Sequence, residues 1–223
     1  ANHARTELTD TLSFGLRLVF FITFPAMVGL ILLRIPIVHL LFQHGEFTYQ
    51  DTLGTAAAGM GYAVGLWAFG GVRIVVSAFY ALQDTKTPVK IAGIAVGANI
   101  LFSLILMPFL QHTGLALAAS LASILNLSLL IWQFQRRLGQ VDWQHILRSH
   151  GRVVIASAAM AVVCGWVADQ GVWIMEGYWT HKTFLLAGGI LGGMAVYFGV
   201  HLLMKSEEIY FLWKTVKGKI TRE

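Results

Sequence analysis

The sequence predicts an all-α membrane protein, a polytopic helical bundle with six transmembrane helices. Hydrophobic residues make up 57% of the 223 residues and charged residues only 12%, whereas a soluble domain carries about 25% charged residues. Only helices and closed barrels satisfy their backbone hydrogen bonds within lipid, and long unbroken apolar runs indicate helices. Six runs are long enough to cross a bilayer: 12–33, 54–82, 89–110, 114–134, 153–175 and 183–204.

The distribution of basic residues predicts the orientation of these spans. Six crossings place both termini on one side, and twelve of the 16 Lys and Arg residues fall there. Only Arg34 and Lys182 fall on the opposite side, and Arg17 and Arg73 lie within spans. Because basic loops stay in the cytoplasm, both ends of the chain are expected to be cytoplasmic. The net charge of +5 is therefore a topology signal, and no nucleic-acid partner is predicted.

The first span and the segment after it carry clear local signals. Pro25 lies inside the first span, where it removes one helical hydrogen bond and favours a kink. Residues 34–42 (RIPIVHLLF) are amphipathic and predict a short interfacial helix. Thr48 followed by Asp51 predicts a capping box at the start of the next helix.

The second span, 54–82, is longer than a bilayer requires, so it is expected to be tilted or kinked. Gly70 and Gly71 are a possible hinge within it. Small residues spaced four apart predict close helix packing. They occur in this span, in the third span at Gly93 and Gly97, and in the sixth span.

A short polar turn separates the second and third spans. Thr87 is the expected N-cap of the third helix, with Pro88 at its first position. Lys86 and Lys90 are expected to hold the turn at one membrane surface. Residues 111–114 (QHTG) predict a tight turn on the other side.

Loop lengths divide the chain into four segments. The first four spans occupy 1–134, and a basic amphipathic linker, 135–152, is expected on the inner membrane surface. Two further spans occupy 153–204, and 205–223 form a basic cytoplasmic tail.

Arg73 is the charged residue most indicative of function, since it lies about 14 Å inside the second span by helical rise. A cation at that depth costs at least ~2.5 kcal/mol. Its side chain is therefore expected to face a hydrophilic cavity that attracts a phosphate-bearing or acidic substrate, or else a structural partner. Arg17 lies nearer the end of its span and either reaches the interface or enters the same pathway.

Polar residues on the third and fourth spans are further candidates. Asn99 and Ser103 share one helical face, as do Ser123 and Asn126 with Ser120. They either line a pathway or coordinate a small cation, or else they hydrogen-bond between helices. The sequence has no metal-ligand spacing, phosphate-binding loop or nucleophile motif. No catalytic residue, cofactor or metal site is therefore predicted, and a general-base role for His39 or His44 has no supporting pattern.

Three segments together resemble the MurJ (MviN) lipid II flippases of the MOP exporter superfamily: 40–48 (LLFQHGEFT), 79–92 (FYALQDTKTPVKIA) and 112–118 (HTGLALA). Members of that family have fourteen transmembrane helices, and the resemblance places this chain at helices nine to fourteen. The first eight helices are then missing, and the last two spans form a hydrophobic groove for the lipid tail. The implied function is transport of lipid II across the bacterial inner membrane by alternating access, without bond cleavage and hence without enzyme activity.

The resemblance also implies site residues and partners. Arg73, Arg17, Asn99 and Ser103 are substrate-cavity candidates, and Ser103 stands where some relatives have an acidic residue near a cation site. The signature loop consists of Asp84, Thr85, Lys86, Thr87, Pro88 and Lys90. The implied partners are lipid II, membrane lipids and the missing helices of the same protein. The alternatives are another MOP-type polysaccharide-lipid exporter, or a membrane scaffold that transports nothing.

Overall fold

The computed structural model describes residues 2–43, 45–138, 142–173, 177–211 and 214, and these contain helices and no strand. His44 and nearly all of the expected basic tail beyond residue 211 lie outside the described residues. The helices are α1 (Asn2–Leu32), α2 (Arg34–Phe42), α3 (Tyr49–Ala63), α4 (Leu66–Ala81), α5 (Lys86–Leu138), α6 (Trp143–Ala168) and α7 (Trp179–Leu203), with a short 3-10 helix at Gly171–Trp173.

Five helical stretches in the described chain are long and apolar enough to cross a membrane. One of them, Lys86–Arg137, has 52 residues and would extend about 78 Å, more than twice the hydrocarbon thickness. It turns at Gln111, where φ is 49° and ψ is −131°. Its two arms, 86–110 and 112–138, run back along each other, since Arg137 reaches Asp84. The predicted all-α bundle with six crossings is thereby confirmed.

The second span is interrupted, but at Val64 and Gly65 rather than at the expected Gly70–Gly71 hinge. A Cβ on Gly65 would lie 2.7 Å from the Cα of Ser120, so only glycine permits this close approach of α5. The Ser120 hydroxyl donates to the carbonyl of Gly61 at 2.6 Å and to that of Tyr62 at 3.2 Å. The interruption takes the helical donor from the Gly61 carbonyl, because Gly65 N bonds instead to Tyr62 O at 3.1 Å, and the Ser120 hydroxyl replaces it. Gly70 and Gly71, by contrast, stay inside α4.

Local predictions for the start of α3 are confirmed. Residues 34–42 form the separate short helix α2. The Thr48 side chain accepts a hydrogen bond from Asp51 N, and the Asp51 carboxylate accepts from Thr48 N at 2.8 Å, which completes the capping box. The segment expected as a surface linker, 135–152, is divided between the end of α5 and the first turns of α6.

Two apolar clusters hold the bundle, and α1 belongs to both. The first joins α1 and α4 to both arms of α5 and the start of α6, with Leu12, Phe79 and Phe134 at its centre. The second joins α1 to α6 and α7 through Phe21 and Met160. Helix α1 therefore packs both against the other helices of the first four crossings and against the last two crossings.

Close packing at glycine occurs where the sequence predicts it for the second and sixth spans. A Cβ on Gly61 would lie 2.9 Å from that of Ala116, and one on Gly189 would lie 2.7 Å from Val167 Cγ2. The expected close contact at Gly93 and Gly97 is absent from the described chain, because no atom lies within 4 Å of a Cβ placed there.

Candidate functional site

Arg73 lies on an exposed face of α4. It shares that face with Phe69, Ser77 and Tyr80, all exposed, at the spacing of successive helical turns. The opposite face of α4, including Val75, packs in the core. No carboxylate among the described residues lies within ion-pair distance of Arg73. The guanidinium therefore points away from this bundle with its charge uncompensated by the described chain.

Arg17 is buried in a polar cluster that joins α1 to the segment after α7. Its Nη1 lies 3.1 Å from Glu207 Oε2 and 3.4 Å from Glu208 Oε1. Glu208, only 2% exposed, also accepts from the Ser149 hydroxyl at 2.7 Å, and His145 lies 3.2 Å from Glu207. The hydrogen bond from Arg17 lowers the pKa of Glu207, partial burial opposes it, and His145 adds to the lowering.

Glu207 and Glu208, the ion-pair partners of Arg17, belong to the tail that was expected to be basic. The ion pairs were therefore not predictable from the net charge of that segment. Their signal in the sequence is the pair Glu207–Glu208 directly after the last span. The structure places the Arg17 side chain in an ion-pair cluster with Glu207 and Glu208. The substrate-cavity role expected for Arg17 stays a prediction.

Asn99 and Ser103 lie half-buried on the first arm of α5. The Asn99 Oδ1 is buried without a hydrogen-bond partner among the described residues, and so is Asn126 Oδ1 on the second arm. No hydrogen bond in the described chain joins Asn99 or Ser103 to Arg73 or Arg17. Ser120, by contrast, hydrogen-bonds between helices, which is the second of the two roles predicted for this set.

Asp84 organises the signature loop. Its carboxylate accepts from Thr87 N at 3.0 Å and from the Thr87 hydroxyl at 2.6 Å, and it pairs with Arg137. Thr87 was expected to cap α5 with Pro88 at the first helical position, but α5 begins at Lys86. Thr87 therefore lies inside the first turn, where its free amide donates to the Asp84 carboxylate. The hydrogen bonds from Thr87 are the largest cause that lowers the pKa of Asp84, and the charge of Arg137 adds to them.

The C-terminal turn of α4 positions Asp84 beside the start of α5. Gln83 has φ of 58°, Asp84 N donates to Phe79 O and Gln83 N donates to Tyr80 O, which is the hydrogen-bond pattern of a Schellman motif. Thr87 and Pro88 are buried, whereas Thr85, Lys86 and Lys90 are exposed. The loop therefore ties together the end of α4 and both ends of α5, and leaves its lysines at the surface.

An apolar groove of about 470 Å³ lies between α1, α6 and α7. Its wall on α1 includes Phe21, Pro25 and Gly29, opposite Met160 and Cys164 of α6. The side formed by α7 comprises Ile190, Met194, Tyr197 and Phe198. Three long helices therefore form most of the groove, and Ile37 of α2 also lines it. The contributions of α1 and α2 were not predicted from the sequence.

A buried polar network at the opposite end of the bundle was also missed. Lys182, expected just outside the last span, is 0% exposed, and its Nζ donates to His39 Nε2 at 2.8 Å. His39 Nδ1 then carries the proton and donates to Gln43 Oε1 at 2.6 Å, which also accepts from Thr52. Burial lowers the pKa of His39, the bond to Gln43 opposes this, and Lys182 lowers it further. The network fastens α7 to α2 and α3.

No group of three or more His, Cys, Asp or Glu side chains suited to a metal ion occurs within the described chain. The charged clusters at both ends are ion pairs and hydrogen-bond networks between helices. Among the described residues, the exposed Arg73 face and the apolar groove both have the geometry of a binding surface.

Comparisons with known proteins give a consistent result. The family model described as "Lipid II flippase MurJ" matches residues 1–188. The chain is 32% identical over 213 residues to the probable lipid II flippase MurJ of Haemophilus influenzae, covering 90% of this chain and 41% of that protein. It is 30% identical over 210 residues to the lipid II flippase MurJ of Burkholderia cenocepacia, covering 92% of this chain and 40% of that protein.

A solved structure titled "Lipid II flippase MurJ, inward closed conformation" shares the fold. It matches with a TM-score of 0.76 and 26% identity, over 93% of this chain and 41% of that one. The chain thus spans about two-fifths of the length of these relatives.

Proposed function

The chain belongs to the lipid II flippase MurJ family, and we propose that the protein of which it forms part moves lipid II from the inner to the outer leaflet of the cytoplasmic membrane. Its apolar helices make it a multi-pass inner-membrane protein. Transport of this kind moves the substrate without breaking a bond, so the activity proposed is that of a flippase and not of an enzyme.

The observation that carries the proposal is Arg73, an exposed cation on α4 with no carboxylate partner in the described chain. A guanidinium at this depth is stable only beside water or an anion. Lipid II carries a pyrophosphate, and arginine binds phosphate oxygens in a bidentate geometry. We assign Arg73 to the wall of the substrate cavity, facing the lobe that the remainder of the protein supplies.

The apolar groove provides a place for the other half of the substrate. It is lined almost entirely by apolar atoms of α1, α6 and α7, so an undecaprenyl tail can lie there while the polar headgroup crosses the cavity. Separate sites for headgroup and tail suit an alternating-access mechanism, because the headgroup changes leaflet without the tail leaving an apolar environment.

The excess of basic residues predicts the orientation. The bundle end that carries Lys86, Lys90, Arg136 and Arg137 is proposed to face the cytoplasm, and with it both ends of the chain. The proposed partners are lipid II, membrane lipids and the preceding helices of the same protein.

The test uses the complete protein reconstituted in vesicles with lipid II. We expect Arg73→Ala to reduce translocation by about tenfold or more, since hydrogen bonds to charged groups contribute ~1.5–3 kcal/mol. Arg73→Lys should retain part of the activity because the charge remains. Arg148→Ala, which removes an exposed arginine from the first turns of α6, is the matched control.

Normal translocation by folded Arg73→Ala protein would contradict the cavity assignment. Translocation of a different polyprenyl-linked saccharide in place of lipid II would favour another exporter of the superfamily.

A further inference from the structure

Pro25 leaves one backbone acceptor in α1 without its helical donor. In an uninterrupted helix the amide of residue 25 donates to the carbonyl of residue 21, but proline has no amide hydrogen. Helix α1 nevertheless continues through Pro25 to Leu32. The Phe21 carbonyl therefore needs a donor from elsewhere, because an unsatisfied carbonyl inside a membrane bundle is costly.

Tyr197 of α7 supplies that donor. Its hydroxyl donates to the Phe21 carbonyl oxygen at 2.7 Å, across 176 residues of sequence. Both residues are buried, Phe21 at 1% and Tyr197 at 3% exposure, and their rings are in contact with centroids 5.4 Å apart. The bond therefore forms in a site where water does not compete for either partner.

The same residues line the apolar groove, with Phe21 and Pro25 on one wall and Tyr197 on another. One turn further along α7, His201 stacks edge-on against the Phe21 ring with centroids 4.6 Å apart. The contact thus joins α1 to α7 on the inner surface of the groove, at the turn of α1 that the proline weakens.

We propose that Tyr197 is a positioning residue of the groove: its hydroxyl takes the place of the amide that Pro25 lacks and fixes α1 against α7. The groove wall then keeps its shape because of a bond between two helices, and a shift of α7 is transmitted to α1 at Pro25. The significance for transport rests on the proposed function, whereas the bond and its coupling to Pro25 do not.

The test is a double-mutant cycle on the complete protein, read by hydrogen exchange of the α1 amides without lipid II. Tyr197→Phe removes only the hydroxyl, and we expect the amides of residues 22–24 and 26–29 to exchange about tenfold faster. Pro25→Ala restores an amide that donates to Phe21 O. In that background Tyr197→Phe should change exchange by no more than about twofold, the usual limit of additivity.

Tyr210→Phe, which removes a hydroxyl from a side chain that is 59% exposed, is the control and should leave α1 unchanged. Equal acceleration by Tyr197→Phe in the wild-type and Pro25→Ala backgrounds would overturn the proposal, and so would no acceleration in either. Lipid II translocation by the same variants is measured separately. Loss in Tyr197→Phe and recovery in the double variant would link the contact to transport, whereas failure of the wild-type protein to move lipid II would count against the proposed function alone.

Discussion

Gly188 and Gly189 are neighbours on α7 that face different surroundings, and they allow a test of close packing between the groove helices. A Cβ on Gly189 would lie 2.7 Å from Val167 Cγ2 and 3.1 Å from Val167 Cγ1 of α6. A Cβ on Gly188 meets nothing within 4 Å. Each substitution by alanine adds one methyl group to the same helix, and only one of them adds it against α6.

The expected magnitude follows from these distances. Carbon atoms pack at about 3.5–4.0 Å, so the Gly189→Ala methyl requires a displacement of at least about 0.8 Å. Val167 is β-branched and held in one rotamer, so the helices must move apart. Overpacking of this kind costs ~1–3 kcal/mol. The gain in helix propensity from glycine to alanine is common to both variants and cancels in their difference.

The assay is equilibrium unfolding of the complete protein in mixed detergent micelles, with its helicity followed by circular dichroism. We expect Gly189→Ala to be less stable than Gly188→Ala by ~1–3 kcal/mol, about 5- to 150-fold in the unfolding equilibrium. Val167→Ala should recover part of the loss in the Gly189→Ala background, because it removes both methyl groups that clash. Equal stabilities for the two alanine variants, or no recovery, would refute close packing of α6 and α7 at this position.

Two further predictions concern the charged contacts. Arg17→Ala leaves the buried Glu208 carboxylate without its cation and should lower the free energy of unfolding by ~3 kcal/mol. Glu207→Gln changes a side chain that is 61% exposed and should lower it by less than ~1 kcal/mol. Equal losses for the two variants in the same unfolding assay would contradict the buried pair. Thr87 and then Arg137 lower the pKa of Asp84 in the folded protein. The ionised Asp84 carboxylate therefore contributes its full stabilisation above about pH 4, the ordinary pKa of Asp, and this stabilisation is lost as the pH falls through the lower folded-state pKa. Protection of the amides of residues 85–87, 89 and 90, referenced to an unstructured peptide, should therefore hold from neutral pH to about pH 4 and decline below it. Asp84→Asn should remove this dependence, and an unchanged acid profile in Asp84→Asn would contradict the prediction.

Local sequence signals predicted much of the architecture. The capping box at Thr48 and Asp51, the short helix at 34–42 and the turn at Gln111 depend on neighbouring residues, and all three are found. The interruption of the second span was expected from its length but misplaced. Its position depends on Ser120, which approaches Gly65 from a helix more than fifty residues away in the sequence.

Candidate residues were predictable where a charged residue falls inside an apolar span. Arg73 was singled out because a cation within an apolar span needs a special environment. The structure places it on an exposed face with no carboxylate partner among the described residues, and its cavity role stays a prediction. Arg17 followed the same reasoning, but its partners Glu207 and Glu208 lie 190 and 191 residues away. The adjacent pair Glu207–Glu208 marks an acidic site after the last span, but the sequence does not indicate that this segment folds back onto α1.

The sequence by itself determined that this chain is a six-crossing helical bundle with one basic end, because apolar length and charge act on each span independently. Only the tertiary structure decided which polar groups meet: Lys182 with His39, Arg17 with Glu208, and Tyr197 with the carbonyl that Pro25 leaves free. The physical reason is that a buried polar group must find its partner wherever the packing of helices brings one. That packing depends on the fit of whole helix faces, which no single segment encodes.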